Sequence, residues 1–360
     1  MSASLAACPQ EAAAPPPAAP PPLSPIERLP KWLLCVPLVL HWMALAARHR
    51  SLTLPSAANP AIPTGGLAGE GKLECLRLIP AAHAAWVAPT AAVPPGAEAG
   101  AVRQAAGMGF PLVAKPDRGW CGYGVRRVDD PTELAAYQAA FPRGGTFLLQ
   151  PWHPGPVEAG LMVHRGPGET AGRLVGLTLR HTPSVVGDGR RTLAALAGGD
   201  PRLRRPRLRA AVLAGHDLAR VPAAGEAVTL TAIASLRAGA RYEDALHLAT
   251  PALRARIGAM AGGMGLHAGR FDVRAVSVAA LLAGQFTVIE VNGAGAEAIH
   301  AWDPRLGLRQ AFAAVFANHR ALFALGAAMR ACGHRPVGPW RLAAAWLRQQ
   351  RLARGYPASN

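Results

Sequence analysis

The sequence predicts a chain of mixed α and β structure, α+β in class, with helical segments at both ends. Two patterns predict it. Between residues 72 and 305 short β-like runs alternate with helical ones, and outside that interval apolar residues recur at helical spacing. Composition agrees: 51% apolar and 16% charged residues among 360 can bury a sizeable core, which excludes disorder of the whole. The 38 Lys plus Arg against 21 Asp plus Glu leave a formal charge of +17, which attracts phosphates, anionic lipid or nucleic acid without choosing among them. Cys8, Cys35, Cys75, Cys121 and Cys332 form no short paired spacing, so neither a zinc ribbon nor a disulfide framework is expected, and a reducing compartment is the default.

Residues 1–25 are mostly Ala and Pro, which neither bury a core nor continue a helix, and read as a disordered leader. Leu5-Ala6-Ala7-Cys8 is similar to a lipoprotein cleavage box, but no basic stretch or apolar run precedes it. Within residues 26–50, Trp32 to Ala47 is apolar except for Pro37 and His41, and is bracketed by Lys31 and by Arg48, His49 and Arg50. A bilayer span needs roughly 20 apolar residues, so this stretch suits an interfacial helix or one packed on the protein's own body. Residues 51–71, with Asn59-Pro60 and Gly65-Gly66 as turn signals, read as an ordered loop or a linker. Phe110 to Lys115, Thr146 to Gln150, Arg173 to Leu179 and Ala227 to Ile233 read as strands, Pro131 to Ala140 and Pro251 to Gly262 as helices. Residues 306–360 are helical in pattern and end in a basic tail, with Arg341, Arg348, Arg351 and Arg354 beside Trp340, Leu342 and Trp346.

The strongest chemical signal is a pair of segments, Gly269 to Arg274 and Phe286 to Asn292, that both alternate with period two. In a strand, Arg270, Asp272 and Arg274 share one face while Phe271 and Val273 point into a core; Glu290 and Asn292 likewise share a face, opposite Ile289 and Val291. Paired as a hairpin, the segments bring Asp272, Glu290 and Asn292 together as an oxygen-donor cluster suited to magnesium, with Arg270 alongside. A second signal is a strand that delivers Lys115, followed by a loop in which Gly119, Gly122 and Gly124 let backbone amides approach phosphate oxygens. A third is Phe147 to Glu158, where an apolar strand ends in a Pro-rich bend. There Gln150 and the backbone near Trp152 can face an adenine edge, and Glu158 can accept from ribose hydroxyls. His181, His216, His247 and His300 have no compact metal spacing. Arg180 and Arg237 can hold an acidic substrate, although arginines at strand ends ordinarily face water.

Taken in order, these pieces resemble the ATP-grasp superfamily, particularly its D-alanine:D-alanine ligase-like branch, over roughly Gly71 to Asp303. The resemblance implies an ATP-grasp fold over 72–305, two α+β subdomains sandwiching ATP, with an atypical apolar segment before it and a helical C-terminus after it. It implies Lys72 and Lys115 as the ATP lysines, the glycine loop over the phosphates, Gln150 to Trp152 at the adenine and Glu158 at the ribose. It also implies two magnesium ions, or manganese, at Asp272, Glu290 and Asn292. The reaction implied is activation of a carboxylate as an acylphosphate and its attack by an amine or thiol, with Lys115 and Arg270 as catalytic cations.

Ser184 to Thr192 is similar to a loop in cyanophycin synthetase and related ligases, and serves either the substrate side or a plain hairpin. Two features depart from the ligase branch. A Rossmann-like domain ordinarily precedes the first ATP lysine, where this chain has residues 1–71, and a Thr-Ser-Pro-Gly turn is replaced by Gly293-Ala-Gly-Ala-Glu297-Ala-Ile-His300. D-alanine is therefore not the expected substrate; the Asn59 to Gly71 loop, with Glu70, is placed to line a rebuilt acceptor pocket. Small-molecule or lipid-linked substrates, membrane-surface contact through 32–47 and a cytoplasmic location at the inner membrane face complete the expectation, with nucleic acid disfavoured. The competing reading is a non-catalytic ATP-binding or membrane-surface scaffold protein.

Overall fold

The structure is a computed structural model that describes residues 22–359; the expected leader lies, through residue 21, outside the described residues. Its last residues belong to the body instead, with Ser24 buried beside Ile26 at the start of a turn. The apolar stretch forms α1 (Lys31–His49), which ends where Arg50 turns left-handed. Residues 51–71 form an ordered loop built around two 3-10 turns, Leu54–Ala57 and Pro63–Gly66, with Leu54, Ala57, Ala58 and Asn59 buried. Asn59 shows why it is ordered: Oδ1 accepts from the amides of His267 (2.9 Å) and Ala268 (3.0 Å), and Nδ2 donates to the carbonyls of Gly65 (3.0 Å) and Ala268 (2.7 Å). One buried amide side chain thereby satisfies backbone groups of two segments remote in sequence.

After α2 (Lys72–Arg77) comes the first lobe: β1 (Ala91–Val93), α3 (Ala99–Ala105), β2 (Leu112–Pro116), β3 (Arg126–Val128), α4 (Pro131–Ala140) and β4 (Phe147–Pro151). Its four strands pair antiparallel in the order β1-β4-β2-β3. Helix α4 starts where Asp130 caps the Glu133 amide (2.9 Å) and Pro131 presets the first turn. Its Leu134 and Tyr137 pack on Leu112, Phe147 and Leu149 of the sheet.

The second lobe begins with β5 (Val157–His164) and β6 (Arg173–His181). An excursion follows, comprising β7 (Ser184–Val186), α5 (Leu193–Gly198), α6 (Pro206–Val212) and β8 (Ala227–Thr229), with its own small core around Leu193, Leu203 and Leu230. The strand expected over Ala227 to Ile233 stops at Thr229: the Leu230 amide still pairs with the Pro183 carbonyl, but Pro183 has no N–H to give back, and the ladder ends there. Then come β9 (Arg241–Asp244), α7 (Pro251–Gly263), β10 (Ala268–Ala275), α8 (Val278–Leu282) and β11 (Thr287–Asn292). The five long strands pair antiparallel in the order β11-β10-β5-β6-β9, and the largest core lies between this sheet and α2, α7 and α8. Strand β10 sits between two neighbours, so all eight of its residues are buried.

Asp272 stands opposite Glu290, and Arg270 opposite Asn292. Because Val273 pairs with Val288, Ile289 is an extra, bulged residue. Val288 and Val291 both enter the core, and Ile289 lines the cavity instead. This corrects the simple alternation that put Ile289 with Val291.

Helix α9 (Leu308–Ala331) packs on α1 and on the Leu54–Ala57 turn, and α10 (Pro339–Ala353) returns toward the first lobe. Among the described residues, α1 and α9 are long and apolar enough to cross a bilayer, by length and composition alone.

Candidate functional site

A cavity of about 550 Å³ opens between the two lobes, within the 300–1,000 Å³ ordinary for small-molecule sites. Seven Lys and Arg side chains and five carboxylates line it, an excess of positive charge that suits a polyanion.

Lys72 and Lys115 meet there from different elements. Lys72 opens α2; its Nζ donates to the Gly119 carbonyl (2.8 Å) and lies 3.6 Å from Glu290. Lys115, on β2, is 4% exposed, and its Nζ donates to the Ile289 carbonyl (2.8 Å), the group that the β11 bulge turns toward it. Burial pulls the Lys115 pKa down to about 8, against the pull of Glu290 and Asp272.

The glycine loop follows Lys115. Its carbonyls are held: Cys121 accepts from Ser235 Oγ (3.0 Å) and Arg237 Nε (3.1 Å), and Gly122 from Arg237 Nη2 (3.0 Å) and Ser359 Oγ (2.8 Å). The amides of Gly119, Trp120, Cys121 and Gly122 have no protein acceptor among the described residues, and all four residues line the cavity. Turning the carbonyls onto protein donors leaves a run of N–H groups for an anion. Gly124 falls outside the cavity, correcting the expectation that groups it with Gly119 and Gly122: a Cβ there would stand 2.8 Å from Pro116 and 3.0 Å from Tyr356, and its amide donates to Ser359 Oγ (3.1 Å).

At the hairpin, Asp272 is 4% exposed and binds three donors' side chains. Oδ1 accepts from Arg270 Nε (2.6 Å), and Oδ2 from Arg270 Nη2 (3.1 Å), Arg180 Nη2 (3.3 Å) and Asn292 Nδ2 (3.2 Å). Burial alone would raise its pKa; Arg180 and Arg270 outweigh burial and hold the carboxyl below its ordinary range. Two carboxylates and an amide oxygen are the right chemistry for a small hard cation. Among the described residues no three His, Cys, Asp or Glu side chains form a ready-made cage, so phosphates and water would have to complete its shell.

Three further expectations change in detail. The Trp152 amide donates to the Pro111 carbonyl (2.9 Å), which leaves carbonyls as the backbone groups near Trp152 for an adenine edge, while the indole stacks with Arg127 and Arg274 at 5.1 and 4.4 Å. Gln150 lines the cavity, but Nε2 is tied to Thr90 Oγ1 (2.8 Å) and the Ile289 carbonyl (3.2 Å). Glu158 Oε1 accepts from Arg180 Nη1 (2.8 Å), a cross-strand partner in register, while the side chain still lines the cavity.

Several residues that the sequence reading named outside the nucleotide and metal set also line the cavity, Glu70, Arg180, Arg237 and Arg274 among them. Arg180 and Arg237 do not face water: Arg180 ties Glu158 to Asp272, and Arg237 clamps the glycine loop. Glu70, Arg180 and Arg274 each present a buried side-chain atom with no protein partner, Oε2 in the first and Nε in the others, and all three line the cavity. Burial raises the Glu70 pKa above its ordinary value. From the C-terminus, Trp346, Gln349 and Gln350 complete the wall, and the Tyr356 hydroxyl donates to the Arg118 carbonyl. By contrast, Asp188 of the Gly-Asp-Gly run accepts from the amides of Arg190 (2.9 Å) and Arg191 (2.8 Å), which makes it a turn former.

No protein-family model matches the sequence, and no curated protein matches it. The chain is similar in structure to a D-alanine–D-alanine ligase from Bacillus anthracis, with TM-score 0.42 and 14% identity over 74% of this chain and 69% of that one. A D-cycloserine synthetase gives TM-score 0.39 and 16% identity over 73% and 71%. A bifunctional glutathione synthetase from Pasteurella multocida gives 0.38 and 16% over 69% of this chain, which spans 36% of that protein's length.

Proposed function

We propose that the protein is an ATP- and magnesium-dependent ligase that activates a carboxylate as an acylphosphate and joins it to an amine or thiol. One observation supports this above all. Lys72, Lys115, the free amides of residues 119 to 122 and the Asp272–Glu290–Asn292 hairpin, spread over 220 residues of sequence, all line one cavity. That combination matches phosphoryl transfer, which asks a protein for positioning and charge neutralisation more than for a nucleophile.

In this reading the loop amides and the two lysines hold the phosphates, and Lys115 donates from a site where its charge is little screened. Arg270, buried, and Arg180, half-buried, face the charge that develops on the transferred group and on the attacked carbonyl. A divalent ion bound by Asp272, Glu290 and the Asn292 amide oxygen would neutralise phosphate charge further. Phosphate oxygens offer the two guanidinium groups an alternative anion, which frees Asp272 for that ion.

The pairing of Asp272 with two arginines favours a second reading, a nucleotide binder without acyl transfer. Purified protein with ATP and magnesium, screened against pools of carboxylates and amines, separates the two. A ligase releases ADP only with the right acid and yields an amide or thioester seen by mass spectrometry, and Asp272→Ala or Glu290→Ala abolishes the release. A binder is stabilised by ATP, and no mixture stimulates it.

A further inference from the structure

Helix α1 carries two unlike faces. Its inner face is packed: His41 stacks on Phe316 of α9 at 4.3 Å, Trp42 meets Phe323 edge-on at 4.9 Å, and Leu34 joins the cluster around Ala311. The Trp42 indole donates to the Leu52 carbonyl (3.1 Å). Its outer face is a continuous apolar stripe, with Trp32 68% exposed, Val36 49%, Val39 57%, Leu40 64% and Met43 50%. Such a stripe on a helix already anchored to its own protein is far more than scattered surface hydrophobes, and it marks an interaction surface.

Charge identifies the partner. From Arg28 to Gly69, and again from Leu306 to Asn360, the sequence contains no Asp or Glu, yet these two stretches hold twelve of the 38 Lys and Arg residues. They are the stretches that pack together around α1, α9 and α10. Exposed Arg28 and Lys31 stand at one end of the stripe, and exposed Arg48 and Arg50 at the other. A second copy is a poor occupant, because parallel or antiparallel pairing of α1 sets cation against cation at both ends. A polynucleotide would meet the charges but leave the aliphatic side chains in water. Residues 1–21 hold only Met1 and Leu5 as large apolar side chains, too few to cover the stripe.

We propose that α1 docks the protein onto an anionic phospholipid bilayer. It lies in the membrane plane, with Trp32, Val36, Val39, Leu40 and Met43 entering the acyl boundary and the flanking cations meeting headgroup phosphates. The inner face stays on α9, so the helix lies on the membrane and does not cross it.

The test is flotation of the full chain with vesicles of phosphatidylcholine alone or mixed with phosphatidylglycerol. Wild type should float with the anionic vesicles and partition at least about 10-fold less onto the neutral ones. The exposed pair V36E/L40E should lose binding by about 10-fold or more, while keeping its melting temperature and its stabilisation by ATP. Lys31→Glu with Arg48→Glu should remove the preference for anionic lipid. Equal flotation of V36E/L40E and wild type overturns the proposal, as does a dimer in light scattering that V36E/L40E dissociates. Tighter retention on RNA than on anionic vesicles, or resistance of bound protein to alkaline carbonate extraction, overturns it too.

Discussion

Asp272→Asn removes the anion that joins two buried guanidinium groups while keeping the shape of the side chain. In the native protein Arg270 gives Asp272 two hydrogen bonds, at 2.6 and 3.1 Å, and Arg180 gives it a third at 3.3 Å. Without the carboxylate, Arg180 keeps Glu158 at 2.8 Å, and Arg270 keeps the Glu297 carbonyl at 3.2 Å. Removing one partner of a buried ion pair typically costs about 3–5 kcal/mol. Glu158 still compensates Arg180 and the cavity admits water, so the low end applies, about 3 kcal/mol, or roughly two orders of magnitude in the folding equilibrium. Urea denaturation at neutral pH measures it. The same vacancy predicts a second effect that a merely damaged core would not show: tripolyphosphate should stabilise the Asn variant more than it stabilises wild type, because the anion takes the place the carboxylate left. A loss below about 1 kcal/mol without extra anion stabilisation would refute the pairing as the organiser of the site. The pH sign follows from the depressed carboxyl. Its stabilising contribution is present above the ordinary carboxylate pKa and is lost as acid protonates the folded state.

Further outcomes follow from other parts of the cavity. Because burial lowers Lys115 to about 8, the unfolded chain holds a proton there that the folded chain lacks between about pH 8 and 10.5. Wild-type stability therefore rises with pH through that window relative to Lys115→Met, and ATP binding near pH 8 takes up protons, seen by calorimetry in buffers of different ionisation enthalpy and absent in the variant. Gly66 has φ +74°, and a Cβ there would stand 2.5 Å from the Gly293 Cα beside Asn292. Gly66→Ala should cost about 3 kcal/mol in urea denaturation and weaken stabilisation by ATP. Deleting residues 355–360 removes the Ser359 contacts to Gly122 and Gly124 and the Tyr356 bond to Arg118. Amide exchange over residues 119–125 should rise, and ATP binding should weaken by about 5- to 10-fold as the loop's ordering cost moves into the binding step.

The hairpin was legible because alternation with period two is a local property: Phe271 and Val273 against Arg270 and Asp272 assign faces without knowledge of a partner. The bulge at Ile289 left only a faint trace, the adjacent apolar pair Val288-Ile289 that interrupts the alternation; which residue is extra appears only in the register of Val273 with Val288. Arg180 was undervalued for the same reason. Its end-of-strand position suggests solvent, but β5 sets Glu158 directly across from it and β10 brings Asp272 within reach. Glu158 then answers to Arg180, which no spacing within its own segment discloses. The tail offered least. Tyr356 and Ser359 lie in a short stretch with no periodicity, and their contacts with residues 118–124 span more than 230 positions.

These long contacts explain how segments distant in sequence close around one cavity. The loop and the turn after β11 are clasped backbone to backbone, with the Ala294 amide on the Gly65 carbonyl (3.0 Å) and the Gly295 amide on the Gly66 carbonyl (2.6 Å). Asn59 fastens the same loop to the start of β10. Both ends of the acidic hairpin are thus fixed by one segment, which continues through Glu70 into Lys72 at the cavity wall. An adjoining wall comes from α10, where Gln349 Oε1 accepts from the Gly69 amide (2.9 Å), and from the tail that holds the glycine loop. Helix α9 packs on α1 and on the Leu54–Ala57 turn, so one continuous packed run, from α1 through α9 and that turn to Gly65 and Gly66, reaches the hairpin that carries Asp272 and Glu290.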